Sequence, residues 1–157
     1  MGAPQAGRTV RTILSAGVAA GVFDIVAAML VYGQRGARPM RILQSIASGL
    51  LGPAAFQGGT ATAAAGLVLH FFIAGAAAAV FYLASLRIHA LVRRPVAFGA
   101  LYGVVVYAFM NFVVLPLSAV AKRPFDARTA LLIVLVHIVC VGVPIALIVR
   151  RGRNREE

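Results

Sequence analysis

The amino-acid sequence predicts an all-α polytopic membrane protein: a four-transmembrane-helix bundle with an additional interfacial or re-entrant helix between the first and second spans. Three observations lead there. Hydrophobic residues make up 61% of the 157 and charged ones only 12%, against about 45–50% and about 25% in a soluble domain. Four apolar runs are each at least 20 residues long, enough to cross a hydrocarbon core of about 30 Å at about 1.5 Å per helical residue. Runs such as residues 74–80 show no period-two alternation, which excludes a transmembrane barrel and leaves helices to satisfy the backbone in lipid. A lone cysteine, Cys140, excludes a disulfide scaffold. The length fits one membrane domain, residues 1–157.

The first span is expected over residues 13–32. Arg8 and Arg11 precede it, but it is too long for a signal-peptide core, contains Asp24 and is followed by no small-residue cleavage site. Neither Gly2 nor the terminal Arg155-Glu156-Glu157 matches a lipidation box. Residues 40–56 resist the scheme. Arg41, Gln44, Ser45 and Ser48 recur at helical spacing, with Leu43, Ile46, Ala47 and Leu50 on the other side, as in an amphipathic helix. Gly52-Pro53 interrupts a short uncharged stretch, so this segment is expected to lie at the interface or re-enter. Gly58-Gly59 then reads as a turn. The second, third and fourth spans are expected over residues 61–86, 96–121 and 129–149, followed by a basic tail, 150–157. Pro39, Pro95 and Pro124 each open a new segment, as proline does in a first helical turn. Asp126 reads as a loop charge.

Sidedness follows from the basic residues. Nine fall on one side: Arg8 and Arg11, then Arg87, Arg93 and Arg94, then Arg150, Arg151, Arg153 and Arg155. Six fall on the other: Arg35, Arg38, Arg41, Lys122, Arg123 and Arg128. This bias predicts cytoplasmic N- and C-termini. Arg150, Arg151, Arg153 and Arg155 are expected against anionic lipid headgroups, at about 1 kcal/mol per charge near the surface. That accounts for much of the net charge of +11 without nucleic acid, for which no motif exists.

The informative residues are polar ones inside spans. Each span carries one: Asp24, His70, Asn111 and His137. Counted from the expected outer ends, all four fall roughly 10–14 Å deep at about 1.5 Å per residue, in one layer. Small residues accompany the first three, including Gly17-x-x-x-Gly21, Gly66 and Gly99-x-x-x-Gly103, which mark faces that touch other helices. His137 has bulkier neighbours, with Cys140 and Pro144 along its side. An aspartate at mid-membrane costs about 2.5–3.5 kcal/mol to insert, so Asp24 is expected to be paired, protonated or wet.

Several short motifs then suggest a family. Gly66-Leu67-Val68-Leu69-His70, Tyr82, Gly99 and Gly103 leading to Leu115-Pro116-Leu117, and Val136-His137 before an arginine-rich tail resemble the YagU-like group of uncharacterised small bacterial inner-membrane proteins. The similarity covers roughly the last 90 residues and extends loosely to Gly17, Gly21 and Arg38-Pro39. The resemblance implies a multi-pass protein of the bacterial inner membrane. It also implies that His70 and His137 match family histidines, while Asn111 stands where relatives can carry one, which counts against a three-histidine site. It implies no established activity.

Three functions compete for the polar layer. The first is a structural role, in an accessory or assembly subunit of a membrane complex, with lipids, a membrane-protein partner or a second copy as contacts. Polar side chains between helices would then act as hydrogen-bond glue, worth about 0.6 kcal/mol each on average. The second is proton or ion translocation through Asp24 and His70/His137, since intramembrane Asp and His mark such pathways. The third is a metal site on His70, His137 and Asp24, a sound ligand set for Zn, Fe or Cu, or haem b held by His70 and His137. No HxxxH, ExxH or CxxC spacing supports it, so the expectation is no cofactor. No Ser-His-Asp motif or glycine-rich phosphate loop is present, and no catalytic residues are assigned.

Overall fold

A computed structural model describes residues 3–121 and 126–154, in which all regular structure is helical. Four helices are long and apolar enough to cross a membrane. They are α1 (Ala3–Gly33), α3 (Gly59–Arg87), α5 (Pro95–Leu117) and α6 (Ala127–Arg153). Between the first two lie α2 (Pro39–Leu51) and a 3-10 segment, Gly52–Gln57. A single turn, α4 (Ala90–Arg93), joins α3 to α5. Pro39 and Pro95 open their helices, where a missing N–H costs nothing; Pro124 lies outside the described residues.

The helix limits differ from the hydropathy limits for physical reasons. Helix α1 begins ten residues early, because hydropathy marks only the lipid-facing length while the backbone ladder continues beyond it. Helix α5 stops at Leu117 instead of continuing to 121. Ser118 turns extended (φ −92°, ψ 169°) and the Ala119 N–H leaves the helix to bond the Gly49 carbonyl of α2 at 2.9 Å. Helix α6 begins at Ala127 because Asp126 caps it, accepting from the Thr129 amide at 3.2 Å and from the Thr129 hydroxyl. Asp126 is therefore an N-cap rather than a plain loop charge, and the missed signal was a threonine three residues on.

The four long helices form a ring in chain order, and glycines set their approach. Gly17 and Gly21 bring α1 against α3, where an added Cβ would strike Gly75 Cα and the Phe71 ring, both at 2.7 Å. Gly99, Gly103 and Gly142 press α5 against α6, backbone to backbone. Gly152 seats α6 on Thr12 of α1. The remaining side, α3 against α5, is bridged by side chains: the Tyr102 hydroxyl donates to Ala77 O at 2.7 Å, and Phe81 meets the Tyr102 ring edge-on at 5.0 Å.

Helix α2 lies against α3, its Leu43 carbonyl resting where a Cβ on Gly66 would stand. Its inward face draws on both the polar and the apolar side expected from the sequence. Gln44 and Ser48 are buried, each 3% exposed, whereas Leu50 is 74% exposed. Gln44 Nε2 donates to Gly59 O at 3.0 Å, and Ser48 Oγ to Ser45 O at 2.7 Å. Ile42 and Ala47 are buried beside them, while Arg41 and Leu50 are exposed, so both kinds of side chain lie on the inward face. That arrangement suits a lipid surround, in which an outward leucine costs nothing. Gly52, at φ 58°, breaks α2 with a conformation that favours glycine.

A dry core of Ala16, Ala20, Ala78, Phe81, Tyr82, Val141, Ile145, Ala146 and Val149 fills the end of the bundle that carries the described ends of the chain. At that end Thr9 Oγ1 and the Tyr82 hydroxyl lie 3.0 Å apart. At the other end Arg35 Nη1 donates to Thr129 Oγ1 at 2.6 Å, tying the first loop to the start of α6.

Candidate functional site

The half of the bundle away from that core is not filled. A partly open cavity of about 290 Å³ lies between α1, α2, α3, α5 and α6. On α1, α3 and α6 most of its lining residues fall farther from the chain ends than the core residues do, with Ala20 and Val141 shared between the two. Asp24, His70, Asn111 and His137 all line it, so the four polar residues of the four spans meet in one space. Ser45 joins them from α2 and Tyr32 from the end of α1. The remaining wall is aliphatic apart from Met110, and no lysine or arginine lines it.

The hydrogen bonds around the cavity determine what it offers. His70 Nε2 lies 2.8 Å from Gly21 O, and His137 Nδ1 lies 2.9 Å from Ile133 O. A carbonyl oxygen only accepts, so the proton sits on Nε2 of His70 and on Nδ1 of His137. Asn111 Nδ2 donates to Tyr107 O at 2.9 Å. Left without a partner among the described residues are His70 Nδ1, His137 Nε2, Asn111 Oδ1 and the Asp24 carboxylate. In the neutral tautomers that suit these carbonyl partners, each of these atoms is an acceptor. The polar part of the wall presents lone pairs around one carboxylate.

Two backbone features place these side chains. Asn111 lies in a π-helical turn, Met110–Val114, and His137 begins another, His137–Gly142. Each turn ends just before a proline, Pro116 or Pro144. Proline lacks the N–H that an α-helix needs and crowds the carbonyl four residues back, and a widened turn relieves both. The first polar side chain in each then donates to a carbonyl one turn earlier. The His137 ring also stands edge-on to Tyr107 at 5.7 Å, which ties the two turns together. Hydropathy could not reveal these turns, although a proline deep inside two expected spans was the available signal.

The metal and haem expectations find no support in this geometry. Among the described residues no three His, Cys, Asp or Glu side chains form a group able to hold a metal ion, so His70, His137 and Asp24 share a cavity without converging on a point. Cys140, half-buried one turn from His137, does not complete a set. For haem, His70 has already committed Nε2 to Gly21 O. Elsewhere, Arg150 and Arg151 are exposed in the last turn of α6, where positive charge suits the helix dipole, and Arg153 is half-buried. Arg155 lies outside the described residues.

Comparison with known proteins adds no second source: no family model, curated protein or solved structure matches the chain.

Proposed function

We propose that this is a small multi-pass protein of the bacterial inner membrane, with both termini cytoplasmic, that takes up protons or cations in an intramembrane cavity and passes them on through Asp24 and His70/His137. The observation that carries the reading is the cavity itself: one carboxylate, two imidazoles and one carboxamide line it, with no lysine or arginine beside the carboxylate. A carboxylate in such a setting is costly unless a cation, a proton or water stands beside it. The resemblance to the YagU-like group contributes only the address. The described chain ends and α4 group at one end of the bundle, and the excess of arginine there is what supports a cytoplasmic side. In this orientation the cavity lies toward the periplasm.

The accessory-subunit alternative drew on hydrogen-bond glue between helices. Of the four residues only His70 bonds to a neighbouring helix; Asn111 and His137 bond within their own. Translocation is tested with purified protein in liposomes under an imposed pH gradient or membrane potential. Wild type is expected to collapse the gradient, and Asp24→Asn to slow this at least tenfold while keeping its helical circular dichroism and thermal midpoint. Asp24 has no partner to lose, so an unchanged midpoint belongs to the reading. Absence of flux at either polarity overturns translocation, and a large fall in midpoint for Asp24→Asn favours the structural role.

A further inference from the structure

We infer that the cavity is a binding site for a small organic ammonium ion with an apolar body, held by its charged nitrogen at Asp24. The inference rests on the cation-uptake reading and names the class of cation. Three features of the same cavity lead to it.

The first is the donor–acceptor count. The Asp24 carboxylate and Asn111 Oδ1 accept, as do His70 Nδ1 and His137 Nε2 in the neutral tautomers that suit their backbone carbonyl partners; Tyr32 at the rim adds one hydroxyl that can donate or accept. An ammonium group brings only donors, up to three, and one positive charge. It complements this wall, whereas an anion or a carbonyl compound would face lone pairs.

The second feature is spacing. A bare divalent cation needs several oxygen or nitrogen ligands converging within about 2–2.6 Å. Among the described residues no three His, Cys, Asp or Glu side chains converge in that way. A group with donors splayed from one nitrogen, and with waters beside it, tolerates the wider arrangement.

The third is size and polarity. A volume of about 290 Å³ is roughly twice that of an engineered apolar cavity, about 150 Å³, that holds benzene. Ile25, Ile73, Val106, Leu115, Ile133 and Val136 form much of the wall. A proton or an alkali ion would leave that aliphatic surface facing empty space or poorly bonded water. A body the size of a single ring covers it.

The test uses the full chain in phosphatidylcholine nanodiscs, with empty discs as reference, and two probes of matched shape: benzylamine, protonated at pH 7, and benzyl alcohol, which is neutral. Calorimetric titration is expected to show benzylammonium binding at least tenfold more tightly than the alcohol. Asp24→Asn is expected to weaken the ammonium at least tenfold and leave the alcohol unchanged. A second variant, Ala28→Phe, keeps the carboxylate and fills space beside it, and should abolish binding of both; circular dichroism and gel filtration establish folding of each variant. Equal affinity for the two probes, or undiminished ammonium binding in folded Asp24→Asn or Ala28→Phe, overturns the inference. Absence of ammonium binding beside Asp24-dependent proton flux overturns it alone and leaves translocation standing. Ammonium binding without any flux supports the site and removes translocation. Failure of both assays removes both.

Discussion

At the scale of single residues, the two aspartates of the described chain show how environment assigns a role. Asp24 faces a cavity without a protein partner, while Asp126 is fully engaged at a helix start. The Thr129 hydroxyl and then its amide hold the Asp126 carboxyl below its ordinary range, with Arg35 adding a smaller electrostatic pull. A depressed pKa means that the native state holds the proton less tightly than the unfolded chain does. The cap's contribution is thus complete above the unfolded value, about 3.9, and is lost as pH falls through the lower native one. Amide protection factors in the first turn of α6, residues 127–130, should therefore stay constant from neutral pH down to the carboxylate range and drop in stronger acid. In Asp126→Ala they should be low throughout. A protection profile in the wild type that is flat to the bottom of that range would deny Asp126 its capping role.

Elements were legible where composition alone decides them, and less so where chemistry between elements decides them. Four helices long and apolar enough to cross a membrane follow from apolar length, since only a helix would hide its own backbone in lipid. The two sides of α2 were legible, but not which residues pack inward: Gln44 and Ala47, one from each side, are both buried, while Leu50 points out. Asn111 and His137 were visible as polar intruders, but the π-turns that aim them depend on where Pro116 and Pro144 meet a packed neighbour. The close approach of α5 and α6 offers a sharp test of element packing. A Cβ on Gly142 would overlap the Gly99 carbonyl and the Gly103 backbone, neither of which can move without separating the helices. Gly142→Ala should cost about 1–3 kcal/mol, the usual range for overpacking, or more if the π-turn is also lost. On the same scale Gly7→Ala, with no atom within 4 Å of the new methyl, should be neutral or gain up to about 1 kcal/mol from helix propensity. Thermal melting of the two variants in one detergent compares them directly.

The whole molecule is asymmetric along the bundle axis: the main cavity lies in one half and the apolar core in the other, where a smaller cavity of about 180 Å³ lies between α3, α4 and α5. Phe81, 1% exposed, and Tyr102 stand at the boundary, where α3 and α5 are joined by side chains rather than by close backbone contact. Under the proposed function, an ion held in the main cavity must pass the core half to cross, and the seam joined least closely there is the one between α3 and α5. Removing the ring at the boundary tests this. Phe81→Ala should cost about 3–5 kcal/mol of stability, so folding is first verified by circular dichroism. The folded variant in liposomes should show a passive proton leak that persists when Asp24→Asn is added, because water would then bypass the carboxylate site. The wild-type rate should depend on Asp24 instead. A folded Phe81→Ala variant that remains tight would place the barrier elsewhere, in the Ile145 and Val149 layer that lies nearer the basic end of α6.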